Sequence, residues 1–144
     1  MNSKFNSHLS QKQIEIMLKF YYIKSLIRVA EDEKLTANQV RTHLSNAFSI
    51  IRLSYAPEFR KGRCFDSKTV LCNMANRANM DYEKVCEILQ SYIEDGLLSE
   101  NKQFWERILF GKTATPIELM DFLYARFEAD ITPMHTWDLF GTEL

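Results

Sequence analysis

Residues 69–98 read TVLCNMANRANMDYEKVCEILQSYIEDGLL, and this stretch decides the fold that the sequence predicts. Apolar side chains recur at helical spacing on both sides of a polar break near Asn79, which indicates two short helices at about 67–76 and 82–95. Their apolar sides need to be buried, so the two helices are expected to pack against each other across a sharp corner.

Polar and glycine residues mark the expected ends of these helices. Asp66 or Ser67 can cap the first helix and Asp81 the second, because a short side-chain oxygen accepts from free backbone N–H groups at a helix start. Gly96 stands where a left-handed residue would end the second helix. Local signals therefore delimit this pair of helices.

In these features segment 69–98 resembles winged-helix and related helix-turn-helix domains, over 30 of the 144 residues. Met74-Ala75 matches the apolar and small pair that lets two helices cross closely, Met80 fills the turn, and 94–98 matches the exit from the second helix. The buried side of that helix is expected to comprise Val85, Ile88, Leu89, Tyr92 and Ile93. The resemblance implies a second helix that lies in the major groove of DNA.

Charge argues against that use of the second helix. Residues 81–95 hold five acidic residues against Lys84 alone, a balance of −4. DNA binding depends largely on Lys and Arg neutralising phosphates, so a helix this acidic is repelled unless its acids face away. Two interpretations stay open: a packing or protein-docking unit, or part of a domain that contacts nucleic acid elsewhere.

The N-terminal part of the chain predicts a long first helix. Ser10 and Gln13 form a capping box before an apolar segment, which indicates a helix over about 11–31. Its polar residues do not share one face. The helix is therefore expected either to lie between layers or to hold the core with one face and a second subunit with another.

A second capping box predicts the next helix. Thr36 and Gln39 begin it, and it is expected to run to about Tyr55. It should end there because the residue before Pro57 avoids the helical region.

The C-terminal third predicts further helices. Segment 97–110 reads either as a helix or as a β-hairpin that would form a small wing, and its apolar spacing favours the helix. Residues 115–118 give a clear helix start, with a cap, a proline and a closing glutamate, and that helix is expected to reach about Glu128. Thr132-Pro133 is expected to open a last short turn or helix that ends near Gly141.

The predicted fold is all-α, a compact bundle of about six helices containing the helix-turn-helix-like unit. We expect a single helical domain over residues 1–144. Its parts are a basic helical half at 1–56, an acidic helix-turn-helix-like half at 66–128 and an apolar tail at 129–144. The charge balance is +6 over 1–65 and −7 over 66–144, which indicates either a polyanion-binding half or two halves that pack together.

Composition predicts a cytoplasmic protein. No run of about 18 apolar residues is present, so a membrane span and a membrane partner are not expected. The N-terminus has no continuous apolar region of the kind found in signal peptides. The three cysteines are odd in number and widely spaced, which fits reduced thiols.

No motif in the chain carries catalytic chemistry. The sequence lacks phosphate-binding glycine loops, nucleophile elbows and the His or Cys spacings of metal sites. We therefore predict a non-enzymatic protein with no catalytic residue, no cofactor and no metal.

A basic face on the second helix is the candidate nucleic-acid surface. Arg41 and Arg52 lie about three turns apart, so they share a face with Ser45 between them. The following loop adds three basic residues, and the next helix adds two if it folds back. The candidate set is Arg41, Ser45, Arg52, Arg60, Lys61, Arg63, Lys68 and Arg77. Phe59 and Phe65 flank the loop and can either stack on bases or anchor the loop to the core.

Two functions stay open at this point. The first is a regulatory or accessory protein, such as a transcription regulator, that binds DNA or RNA through the basic face, as a dimer or within a complex. The second is a protein-interaction module (inhibitor, adaptor or chaperone) that engages a partner through the acidic helix and the apolar tail. The candidate partner contacts are Glu83, Glu87, Met134, Trp137 and Phe140.

Overall fold

The computed structural model describes residues 8–62, 66–108 and 115–134, and within these ranges the chain forms seven α-helices and one 3₁₀ turn. None of the described residues forms a β-strand, so the predicted all-α class is confirmed for this part of the chain. The helices are α1 (Gln11–Ile23), α2 (Leu26–Glu33), α3 (Ala37–Arg60), α4 (Ser67–Ala78), α5 (Tyr82–Leu97), α6 (Lys102–Trp105) and α7 (Pro116–Met134), with the 3₁₀ turn at Glu106–Ile108.

Helix α1 lies at the centre of the fold. The capping box of Ser10 and Gln13 begins it, as predicted. All nine residues from Gln13 to Tyr21 are buried, and α1 packs against α2, α3, α6 and α7. Its second apolar side is therefore covered by the same chain, which selects the between-layers interpretation over the subunit contact.

The prediction of one helix over 11–31 is wrong, because the chain turns after Ile23. Lys24 adopts the left-handed conformation with φ 62°, and its N–H donates to the carbonyl of Phe20 at 2.8 Å. The hydroxyl of Ser25 then accepts from the N–H of Arg28 and begins α2. A non-glycine residue carries the left-handed turn, so the usual sequence signal for a helix end is missing.

The predicted end of α3 before Pro57 is also wrong, because the helix continues to Arg60. Pro57 lies in the last turn, where it removes only one helical hydrogen bond. Contacts with α4 hold this turn: the side-chain amide of Asn73 donates to the carbonyl of Ser54 at 2.9 Å and to Glu58 at 3.3 Å.

The C-terminal helix begins as predicted and ends later. Thr115 and Glu118 form the capping box, with the hydroxyl of Thr115 accepting from the N–H of Glu118 and the carboxylate of Glu118 accepting from the N–H of Thr115. The expected end near Glu128 is wrong, because α7 runs to Met134 and includes Thr132-Pro133. A proline near the end of a helix again costs little backbone bonding.

The corner near Asn79 is present. α4 ends at Ala78, Asn79 adopts φ 61°, and the N–H of Met80 donates to the carbonyl of Ala75 at 2.9 Å before α5 begins. Asp66 caps α4 by accepting from the N–H of Thr69 at 3.0 Å, as predicted. Asp81 precedes α5 but makes no side-chain cap bond.

The expected role of Gly96 as a left-handed cap is wrong. Gly96 lies inside α5, is buried, and faces the indole of Trp105, which a Cβ at this position would overlap. In the following segment the helical alternative is the one that forms: α6 and the 3₁₀ turn occupy 102–108, and no wing strand is present in 97–108.

Trp105 links three elements. Its side chain is fully buried on α6, its indole lies against Gly96 of α5, and its Nε1 donates to Oε2 of Glu15 on α1 at 3.1 Å. The last contact joins residues 90 positions apart and satisfies a buried carboxylate of the central helix. One tryptophan therefore sets the position of α6 relative to both neighbours.

Charged side chains also connect α1 and α2. Nζ of Lys19, which is buried, lies 2.5 Å from Asp32 and 2.6 Å from Glu33. Lys12 pairs with Glu33 at 2.7 Å. Burial favours the neutral acid of Glu33, but hydrogen bonds and positive charge from the two lysines outweigh it and hold the pKa of Glu33 below its usual 4.5. Burial likewise opposes the charge of Lys19, yet Asp32 and Glu33 raise its pKa above 10.5.

Substituting Gly96 with Ala tests the close approach of the indole. Alanine normally stabilises a helix interior by about 1 kcal/mol relative to glycine. Here the added methyl overlaps Trp105, so we expect Gly96→Ala to lower the free energy of unfolding by about 2–3 kcal/mol, measured by urea denaturation. In a Trp105→Leu background the same substitution should cost much less, because the indole is gone. An equal cost in both backgrounds would contradict the proposed overlap.

The ion pairs of Glu33 predict a pH dependence of stability. Because folding lowers the pKa of Glu33, its contribution is present above pH 4.5 and is lost as the pH falls through the folded value. We expect Glu33→Gln to cost about 3 kcal/mol at neutral pH, and this difference from the unaltered protein should shrink as the pH falls below 4.5 and vanish once the pH is below the lowered folded pKa of Glu33. Urea denaturation across pH measures it. Glu100→Gln, at an exposed position, is the control and should give a small difference.

Candidate nucleic-acid interface

The exposed side of α3 carries the arginine row that the sequence predicts. At about 100° per residue, Arg41, Ser45 and Arg52 fall within about 40° of one another. Arg52 is exposed, whereas Arg41 and Ser45 are half-buried. Nη1 of Arg41 donates to the side chain of Asn38 at 2.7 Å, and this hydrogen bond restrains the guanidinium beside the first turn of α3.

Helix α3 presents no carboxylate on this side. Its only acidic residue is Glu58, which is 5% exposed and lies about 100–140° around the helix from the arginine row. Glu58 accepts from Asn73, and Nζ of Lys61 lies 3.9 Å from it. The exposed side chains of α3 therefore include arginines, neutral polar groups and Leu53, which is 47% exposed, but no carboxylate.

His43 adds no charge to α3 near neutral pH. Burial is the main influence that lowers the pKa of His43, and the positive charge of Lys12 acts in the same direction, with Glu33 opposing both. The neutral imidazole is thus favoured. The positive charge of α3 consequently comes from its arginines.

The basic residues after the arginine row are only partly adjacent to it. Arg60 is exposed, about 80° around the helix from Arg52, and Lys61 is exposed just beyond the helix. Arg63 and Phe65 lie outside the described residues, and the Phe59 side chain is likewise not described.

Helix α4 places its two basic side chains on different sides. Asn73 faces α3, because its amide donates to the carbonyl of Ser54. Arg77 lies about 40° from Asn73 around α4, whereas Lys68 lies about 140° away. Both are exposed. The structure therefore brings Arg77 toward α3 and sets Lys68 apart from it.

The acidic side chains of α5 face solvent. Glu83 and Glu87 are exposed and lie within about 40° of each other, with Glu94 on the same side. Val85, Leu89 and Ile93 fill the opposite, fully buried side. Insertion of α5 into a DNA groove would place carboxylates against phosphates, so the charge objection raised by the sequence persists.

The side chains of the apolar tail at 129–144 lie outside the described residues. Only the backbone of Met134 is described, at the end of α7, and Trp137 and Phe140 lie outside the described ranges.

The cysteines do not form a metal centre in the part of the chain that the structure describes, where no group of three His, Cys, Asp or Glu side chains comes together. Cys72 and Cys86 are half-buried free thiols. Burial and then a hydrogen bond with Cys86 raise the pKa of Tyr82 to about 12, so this phenol stays protonated.

Sequence reasoning missed a groove between α1 and α2. It is lined by Tyr22, Ile23, Arg28, Glu31 and Asp32. The sequence analysis predicted one helix over 11–31, which has no groove. The groove forms only because the chain turns at Lys24 and separates α1 from α2.

No family model, no curated protein and no solved structure matches this chain. Among the helices that the structure describes, none combines the length and apolar character needed to cross a membrane.

Proposed function

We propose that this protein is a non-enzymatic regulatory or accessory protein that binds DNA or RNA through the solvent side of α3. The observation that carries the proposal is the charge pattern of this helix: Arg52 and Arg60 are exposed, Arg41 is half-buried, and the single carboxylate is buried and hydrogen-bonded. A surface of one sign attracts a polyanion without an opposing local field.

The spacing of the arginines suits a nucleic-acid backbone. Arg41 and Arg60 are 19 residues apart in the sequence, which corresponds to about 28 Å along a helix. Ser45, half-buried beside Arg41 and Arg52, offers a hydroxyl donor for phosphate oxygens. Most of the affinity would come from phosphate neutralisation, so binding should fall steeply with salt.

In this proposal the pair α4–α5 acts as a packing unit. Asn73 of α4 holds the C-terminal part of α3, and Arg77 extends the positive side. The acidic face of α5 points to solvent and would remain outside the complex. The helix-turn-helix resemblance then concerns packing, and nucleic acid is contacted by the preceding helix.

Charge reversal on α3 tests the proposal. Fluorescence anisotropy with labelled duplex DNA, single-stranded DNA and RNA at low salt should show binding that weakens as salt rises. We expect Arg52→Glu and Arg60→Glu each to weaken binding at least about tenfold, because the first places a carboxylate in the arginine row and the second places one beside it. Arg52→Ala should also reduce the slope of log affinity against log salt by about 1.

The matched control is Lys84→Glu, which makes the same change in net charge on the exposed surface of α5. It should leave affinity close to that of the unaltered protein. Circular dichroism checks that each variant is folded. No binding at low salt to any of the three probes, or an equal loss with Lys84→Glu, would remove the proposal.

A second candidate function rests on the acidic side of α5. Glu83, Glu87 and Glu94 form an exposed row opposite the buried side of the helix. Such a row suits a basic protein partner, and the protein would then act as an inhibitor, adaptor or chaperone.

Charge reversal distinguishes this candidate from the first. The double variant Glu83→Lys with Glu87→Lys should lose capture of cellular proteins from a lysate, measured by affinity purification and mass spectrometry. Circular dichroism should remain unchanged, because both side chains are exposed. The double variant Glu100→Lys with Glu106→Lys makes the same change in net charge at two exposed positions outside α5, and so separates position from net charge. Capture that survives the first pair would argue against this function.

A further inference from the structure

The groove between α1 and α2 is an open depression of about 780 Å³. Its lining combines the end of α1, at Tyr22 and Ile23, with three charged residues of α2, at Arg28, Glu31 and Asp32. Neither proposed function uses this surface.

Two large apolar side chains are exposed at this surface: Tyr22, which lines the groove, and Ile27, which precedes the groove residue Arg28 on α2. Tyr22 is 53% exposed and Ile27, which follows on α2, is 59% exposed. Two neighbours hold the Tyr22 ring in place. The Phe104 ring packs edge-on against it, with 5.7 Å between the ring centroids, and Cζ of the Arg107 guanidinium lies 4.5 Å from the centroid of the Tyr22 ring. A steadied aromatic side chain beside a depression is typical of the anchor of a protein interface.

The groove carries charges of both signs. Arg28 lies about 60° around α2 from Glu31, and Ile27 lies about 40° from Glu31 on its other side. Asp32 adds a second carboxylate, of which Oδ2 is paired with Lys19 at 2.5 Å. A partner surface that carries charge of only one sign would therefore meet at least one residue of the same sign at this groove.

We propose that this surface, comprising Tyr22, Ile27, Arg28 and Glu31, binds a second copy of the chain around a two-fold axis. A two-fold contact sets the same patch against itself, so Arg28 of each copy can meet Glu31 of the other and both signs are satisfied together. The exposed Tyr22 and Ile27 are then covered between the copies.

Other parts of the fold favour this location for the contact. Helix α1 offers no other exposed apolar surface between Gln13 and Tyr21, since its own chain covers these nine residues, and only its end at Tyr22 is exposed. α2 packs on α3, so a dimer through the opposite side of α2 holds two arginine rows in one assembly. The inference goes beyond the proposed function, because nucleic-acid binding by α3 does not require it.

Sedimentation velocity across micromolar concentrations tests the proposal. The unaltered protein should form dimers, and Ile27→Glu should raise the dissociation constant at least about tenfold by placing a charge on an apolar part of the proposed contact. Leu98→Glu is the matched control, because Leu98 is 88% exposed and is not part of the surface formed by Tyr22, Ile27, Arg28 and Glu31. It should leave the dissociation constant unchanged.

Charge exchange gives a sharper test. Arg28→Glu alone should be monomeric, because two glutamates then face each other, and Glu31→Arg alone should be monomeric, because two arginines do. A mixture of these two variants should form heterodimers, since both pairs become attractive again. Recovery in the mixture separates a direct contact from a folding defect.

Several outcomes would overturn the inference. They are an unaltered protein that stays monomeric, a dimer that survives Ile27→Glu, and a mixture of the charge variants that does not associate. If the protein is monomeric yet Ile27→Glu disrupts binding to a different protein, the groove binds that partner instead of a second copy. In all of these cases the anisotropy experiment on α3 can still succeed, so the two proposals fail separately.

Discussion

The rest of the structure depends on the contact of Trp105 with the central helix. The indole fills the space left by Gly96 and donates to the buried carboxylate of Glu15, so α1, α5 and α6 are positioned by one side chain. An unpaired Glu15 carboxylate would be costly inside the core, and a Cβ at position 96 would push the indole away. Since α1 contacts α2, α3, α6 and α7, a shift of this contact would be transmitted to most of the bundle.

Around this centre, charge is unevenly distributed along the chain. The charged residues of the segment from α3 to α4 are mainly basic, and its one acid within a helix, Glu58, is buried against Asn73. The acids of α5 face solvent on the opposite side from its apolar residues. Salt bridges between α1 and α2 pair the buried charges of Lys19 and Glu33. This arrangement supports the proposal that a polyanion binds at α3, and it argues against α5 as a helix that enters a groove of DNA.

The two proposed surfaces lie on neighbouring helices but rest on different physical grounds. The arginine row attracts by charge alone and should be sensitive to salt. The groove at α2 combines exposed apolar side chains with paired charges, so its contact depends on fit as well as on electrostatics. A dimer formed there would present two arginine rows to one nucleic acid, which would strengthen binding through effective concentration.

The sequence alone determined the helical class, the corner near Asn79, the capped starts of α1, α4 and α7, and the grouping of Arg41 with Arg52, because these follow from periodicity and from local hydrogen bonding. Only the tertiary structure decided the break at Lys24, the continuation of α3 through Pro57, and the burial of Gly96 inside α5. Each of these depends on contacts with residues distant in sequence, or on a left-handed residue that is not glycine. Local propensity carries no information about which distant side chain, such as Trp105, will occupy the space beside a glycine.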